Sequence, residues 1–257
     1  MTDQAAVPGE TNWPKRVLTI AEAVRYIDAV GFCMLYPVKK IPLPSLYYVV
    51  ARRDPHTEFV WDKYSVMVWK WKDELPRRKR AYYSKLFKGR GTFISLKLLP
   101  AFLSACQSIA APGDHHLFYE RGRISDDSRV IWQTLQIHRP MPTLELRHAC
   151  KLETKAGNAR FKRAMLQLET KLIVVHCGTE QETRAWASGR FDLTSRAFRD
   201  QMSAARRISP EEARIAIARK FLSRKGTQPA QLARLFGWNK QQMAEITSAV
   251  SSQAVYT

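Results

Sequence analysis

Between Gly122 and Glu180 the chain carries the run of signals that most restricts its fold: three helix patterns and a β-branched strand within about sixty residues. "SDDSRVIWQTLQIH" opens with Ser125 as an N-cap and sets Asp126 and Asp127 in the positive first turn. "PTLELRHACKL" is a short helix entered through Pro142, and "GNARFKRAMLQLETK" is a third helix of about four turns. "LIVVHCGTE" then supplies a strand and a glycine turn, the start of a β-hairpin.

Three helices followed by a hairpin is the plan of a winged helix-turn-helix. The helical part recurs toward the C-terminus. "SPEEARIAIARKFLSRKG" combines Ser209, Pro210 at the first helical position and Glu212 three residues after the cap. "TQPAQLARLFGW" gives a short second helix ended by Gly237, and "NKQQMAEITSAVSS" a third.

At the other end, a polar tail of about fourteen residues precedes "LTIAEAVRYIDAVGF", where Thr19 and Glu22 form a capping box and Gly31 stops the helix. "FCMLYPV" reads as a short buried strand, and a second helix begins after Pro44. Helical segments are expected from Phe59 to Phe87, broken near Pro76, then a turn and strand in "GRGTFI" and a helix around Pro100. The expected class is mainly α with small β-hairpins, an α+β chain of tandem winged helix-turn-helix units. Its expected domains are residues 15–118, a winged-helix-like unit rich in helices; 119–185, a winged helix-turn-helix; and 200–257, a helix-turn-helix. "ASGRFDLTSRAFRDQMSAARR" reads as a linker or connecting helix.

Charge narrows the function. Lys and Arg number 42 against 23 Asp and Glu, a formal net charge of +19 that calls for a polyanion to neutralise it. Nucleic acid is the leading partner. An anionic membrane ranks second, because no lysine-rich amphipathic helix or lipidation signal stands out, and no apolar run approaches the roughly 18 residues of a membrane span. With no signal-peptide pattern at the N-terminus, a cytoplasmic, nucleoid-associated protein is expected. Cys33, Cys106, Cys150 and Cys177 are too scattered for a disulfide framework and read as reduced, buried thiols. His148 and Cys150 lack the spacing of a helical metal pair, so no metal and no cofactor is expected.

Two cationic elements are the candidate DNA-binding residues. From Leu75 to Ile94 the chain holds Arg77, Arg78, Lys79, Arg80, Lys85, Lys88 and Arg90 and no carboxylate. Arg77, Arg80, Ser84 and Lys88 fall at helical spacing, and "KGRGT" suits a phosphate-gripping turn because Gly89 and Gly91 let backbone N–H groups come close. Tyr82 and Tyr83 could stack on an unpaired base, but beside Leu86 and Phe87 the core reading is the stronger. On the third helix of the middle unit, Phe161, Met165, Leu168 and Leu172 form an apolar stripe. Arg160, Arg163, Gln167 and Lys171 form a polar one about 120° away. In a helix-turn-helix this helix enters the major groove, where Arg reads guanine and Gln reads adenine, so Arg163 and Gln167 are the candidates for base edges.

"GTQPAQLARLFGWNKQQMAEITSAV" resembles the helix-turn-helix of the AlkZ superfamily, winged-helix DNA glycosylases that act on crosslinked and alkylated bases, with the proline displaced to Pro229. "LTIAEAVRYIDAVGF", "PLPSLYYVVARR" and "KGRGTFISLKLLP" are similar to the N-terminal half of shorter AlkZ-related proteins, so the resemblance spans most of Leu18 to Val250. It implies a DNA-binding protein of repair or transcription. Catalytic members carry a Gln-apolar-Gln or Gln-apolar-Asp element after the first helix, where this chain reads "GFCMLYP" without Gln, Asp or Glu. The lookalikes "LQIH" and "QLE" sit inside helices. No catalytic residue is assigned; a glycosylase acting on a flipped base is the alternative, and a protein-interaction module the second, with the C-terminal unit open to a protein partner.

Overall fold

The computed structural model describes residues 16–52, 61–108, 114–181 and 187–254, so the polar N-terminal tail and Phe59 lie outside the described residues. The chain is mainly helical with two small antiparallel sheets.

The first unit begins with α1 (Ile20–Val30), whose Thr19 and Glu22 close the expected capping box and whose C-cap is Gly31. It continues through β1 (Phe32–Met34), α2 (Leu46–Ala51), α3 (Lys63–Arg77), β2 (Tyr82–Phe87) and β3 (Arg90–Ile94). Its sheet runs β1-β3-β2. Two helices follow, α4 (Leu99–Ala105) and α5 (Asp114–Glu120).

The middle unit has α6 (Asp126–Ile137), β4 (Met141–Pro142), α7 (Thr143–Ala149), α8 (Lys155–Thr170), β5 (Val174–Glu180) and β6 (Ser188–Leu193), with a sheet ordered β4-β6-β5. Both units therefore follow one order, helix, strand, helix, helix, strand, strand, with the last strand in the centre of the sheet. Then come α9 (Thr194–Ala197), α10 (Arg199–Ala205), α11 (Pro210–Leu222), α12 (Pro229–Phe236) and α13 (Lys240–Ala254). Ser209 and Glu212 cap α11, and Gly237 ends α12 in the left-handed conformation.

Two sequence expectations need correction. The cationic stretch runs as a helix through Pro76 only as far as Arg77. Lys79 turns left-handed (φ 50°) and the N–H of Arg80 reaches back to the carbonyl of Leu75 at 2.8 Å, a closure that ends α3. Tyr82–Phe87 then pairs with β3, Tyr82 opposite Ile94 and Phe87 opposite Arg90, burying Tyr82 and Tyr83. "ASGRFDLTSRAFRDQMSAARR", expected as a linker or connecting helix, is helical in its second part, α9 and α10, but Ser188–Leu193 is the central strand β6, which continues the middle sheet past residue 185 and pairs Met141 with Phe191 and Val174 with Leu193. Phe191 and Leu193 join the core of the middle unit, while Asp192 between them, also buried, accepts from Arg196 Nε at 2.7 Å.

The units are not separate cores. Phe32, Ile94 and Phe102 pack with Leu172 and Val175 from the middle unit and with Ile217, Phe221, Leu232 and Ile246 from the last three helices. The middle unit holds its own core of Ile131, Trp132, Leu135, Phe161 and Leu168, and α1 to α3 enclose a third. The first two units pack reciprocally: α3 lies on β5 while its counterpart α8 lies on β2, and β2 meets β5.

Candidate nucleic-acid interface

The two-residue turn between β2 and β3 is Lys88-Gly89, both at positive φ (50° and 68°), the combination a type I′ hairpin turn requires. It projects Lys88 and Arg90, both exposed, at the tip of the hairpin. The tip rests against α8, since a Cβ on Gly89 would sit 3.4 Å from Leu166 Cδ1. Leu166 itself is 37% exposed, with Arg163 three residues earlier on the same helix, about 5 Å along its axis. Lys162, four residues before Leu166 and exposed, joins this face, though no sequence signal marked it out from its cationic neighbours.

The polar stripe of α8 divides into different roles. Arg160 makes a two-point ion pair with Asp127, Nε to Oδ2 at 2.9 Å and Nη2 to Oδ1 at 2.5 Å, tying α8 to the first turn of α6. The carboxylate beside it raises the Arg160 proton affinity further. The Oε1 atom of Gln167 accepts from the Ser125 N–H at 2.9 Å and the Ser128 hydroxyl at 2.6 Å, so this amide joins two helices instead of standing clear of them. Lys171 caps α8 half-buried; burial and the nearby Arg123 depress its pKa. Arg163 is exposed, with no carboxylate within 4.0 Å among the described residues.

The α3–β2 turn is a second cationic edge. Arg77 and Arg78 share one carboxylate, Glu74, which their hydrogen bonds and charge hold below its ordinary pKa. Lys79 and Arg80 beside them are exposed. The stem of Arg77 lies over Gly178 of β5, where an added Cβ would meet it at 3.2 Å. Lys85 points elsewhere: its Nζ is 3.1 Å from Glu169 Oε2, a carboxyl only 1% exposed. Burial raises the Glu169 pKa against the pull of Lys85. Ser84 Oγ donates to the Glu169 carbonyl at 2.5 Å, which makes this pair a seam between β2 and α8.

The mirror seam between α3 and β5 holds His176, 5% exposed, with Nε2 at 3.3 Å from Asp73 Oδ1 and ring contacts to Tyr83 and Phe191. Burial, assisted by Lys72 and Lys85, drives its pKa down to about 3, so it is neutral. Burial also raises Asp73. Phe32, Cys33 and Met34 of β1, within the stretch "GFCMLYP", are fully buried.

The sequence profile described as "AlkZ related" matches residues 17–237. The chain belongs to the AlkZ-related family. The match runs from the start of α1 to the end of α12 and so embraces both repeated units and most of the C-terminal helices. No curated protein and no solved structure matches the chain. Within this AlkZ-related chain no group of three His, Cys, Asp or Glu side chains among the described residues is arranged to hold a metal, and no described helix is long and apolar enough to cross a membrane.

Proposed function

We propose that the protein binds duplex DNA as a tandem winged-helix protein, with α8 and the β2–β3 hairpin tip forming one cationic face. The order of elements in both units fits the winged-helix plan, with α3 and α8 in the recognition-helix position and the hairpins as wings. The observation that carries the reading is the contact of Gly89 with Leu166, which brings Lys88 and Arg90 beside Arg163 and Lys162 although more than seventy residues separate them in the chain. Lysine and arginine would hold phosphates and set position, while Arg163 is the base-edge candidate because its guanidinium is uncommitted. Gln167, one turn on and on the same side of the helix as Arg163, is committed to Ser125 and Ser128 of the neighbouring helix.

The family's description and the net charge of +19 agree with a polyanionic duplex. Base excision has less support, because buried Phe32, Cys33 and Met34 offer no amide or carboxylate to position water. A titration of duplex affinity against salt tests the proposal. Contacts from these four cations should make log K fall with log salt at a slope of about −3.6; an affinity indifferent to salt would defeat it.

A further inference from the structure

A second cationic feature lies outside that face. The end of α4, α5 and the α10–α11 junction surround a cleft of about 710 Å³ lined by Arg121, Arg123, Arg206 and Arg207. These arginines come from segments some eighty residues apart, so only the fold gathers them. Two carboxylates also line it, Asp114 and Glu212. Glu212 is committed to the α11 cap, its Oε2 accepting from the Ser209 N–H at 2.8 Å.

Arg123 is held in place: Nη2 donates to the Gln107 carbonyl at 3.2 Å, and the guanidinium lies 4.0 Å from the centroid of the Phe118 ring. Arg121 and Arg207 are exposed, with no carboxylate within 4.0 Å among the described residues. Burial and the neighbouring Arg121 weaken the hold of Arg123 on its proton, and Arg123 in turn lowers the pKa of Lys171. Four arginines against two carboxylates leave the cleft with an excess of positive charge that an anion would offset.

We propose that this cleft is a phosphate-binding site, in which Arg123 is a fixed wall and Arg121 and Arg207 close on the phosphate oxygens. Guanidinium forks match the geometry of such oxygens and donate two bonds at once, which a carboxylate-free surface lysine does not. The phosphate can belong to a nucleic-acid backbone, in which case the inference rests on the duplex reading, or to a free phosphate or pyrophosphate, in which case it stands without it.

The test compares the full chain with Arg121→Gln/Arg207→Gln, two exposed positions whose replacement should leave the melting curve unchanged. Calorimetric titration with inorganic pyrophosphate at low salt, and fluorescence anisotropy with a short duplex over a salt series, are the two arms. A backbone phosphate predicts that the variant's salt slope is shallower by about 2. A free anion predicts saturable pyrophosphate binding that weakens about tenfold or more in the variant. Either result supports the site, and wild-type behaviour of the variant in both arms overturns it. Loss of pyrophosphate binding in a protein that shows no salt-dependent duplex affinity would retain the cleft and remove the duplex reading.

Discussion

The Gln167 amide oxygen lies 2.6 Å from the Ser128 hydroxyl and 2.9 Å from the Ser125 N–H, so the middle of α8 is fixed to the start of α6. Replacing Gln167 with Ala leaves the Ser128 hydroxyl to its bonds with Ser125 and the Ala164 carbonyl, and strips one partner from a helix N-terminus. We expect a loss of about 1 kcal/mol in urea unfolding. Duplex sequence preference should be retained. A variant as stable as the parent but altered in base preference would restore Gln167 to the DNA surface.

Arg163, Lys88 and Arg90 should behave as one surface. Arg163→Gln is expected to make the salt slope of duplex binding shallower by about 1, and Lys88→Glu/Arg90→Glu to weaken affinity tenfold or more at low salt. Circular dichroism should be unaffected, because all three side chains are exposed. If reversal at the hairpin tip leaves affinity intact, the tip and α8 do not share a ligand.

Lys85 should matter for stability more than for binding. Lys85→Met strands the buried Glu169 carboxyl, and because Lys85 is 44% exposed the loss should be about 2 kcal/mol, short of a fully buried pair. Adding Glu169→Gln should recover much of it. Urea denaturation of both variants measures this; an additive, larger loss in the double variant would mean that the pair is not what joins β2 to α8.

Acid stability should depend on His176. An unfolded histidine titrates near 6.5 and the native one at about 3. Between those values the unfolded chain takes up a proton that the native chain refuses, so stability falls as pH drops, by up to about 1.4 kcal/mol per pH unit. Asp73 and Glu169, both raised by burial, act in the opposite direction, because the native chain keeps their protons to higher pH. His176→Phe keeps the ring packing against Tyr83 and Phe191 and isolates the histidine contribution. Its stability should decline less than the parent's from pH 6.5 toward 4; parallel curves would rule the effect out.

Much of the local architecture was legible in the chain. Thr19 with Glu22, Ser125, and Ser209 with Glu212 each marked a helix start that the structure bears out, and Gly31 and Gly237 marked two ends. Capping is decided within four residues, which is why such signals can be read without a fold. Tyr82–Phe87 was misjudged because its cations match helical spacing by chance, while its real partner, β3, is recognised only through cross-strand pairing and burial. The site was harder. Arg160, Arg163, Gln167 and Lys171 share a stripe in sequence, yet Asp127, Ser128 and Arg123, all from outside α8, assign them different tasks.

By itself, then, the sequence determined the cationic excess, the helix boundaries with strong caps and the membership of the AlkZ-related family, all properties of composition or short-range order. Only the tertiary structure decided that the first unit repeats the topology of the middle one, that α3 and α8 exchange places on each other's hairpins, and that Gly89 meets Leu166. The reason is that a side chain's freedom depends on which distant carboxylates, carbonyls and apolar surfaces packing brings to it, and no periodicity along one segment encodes those partners.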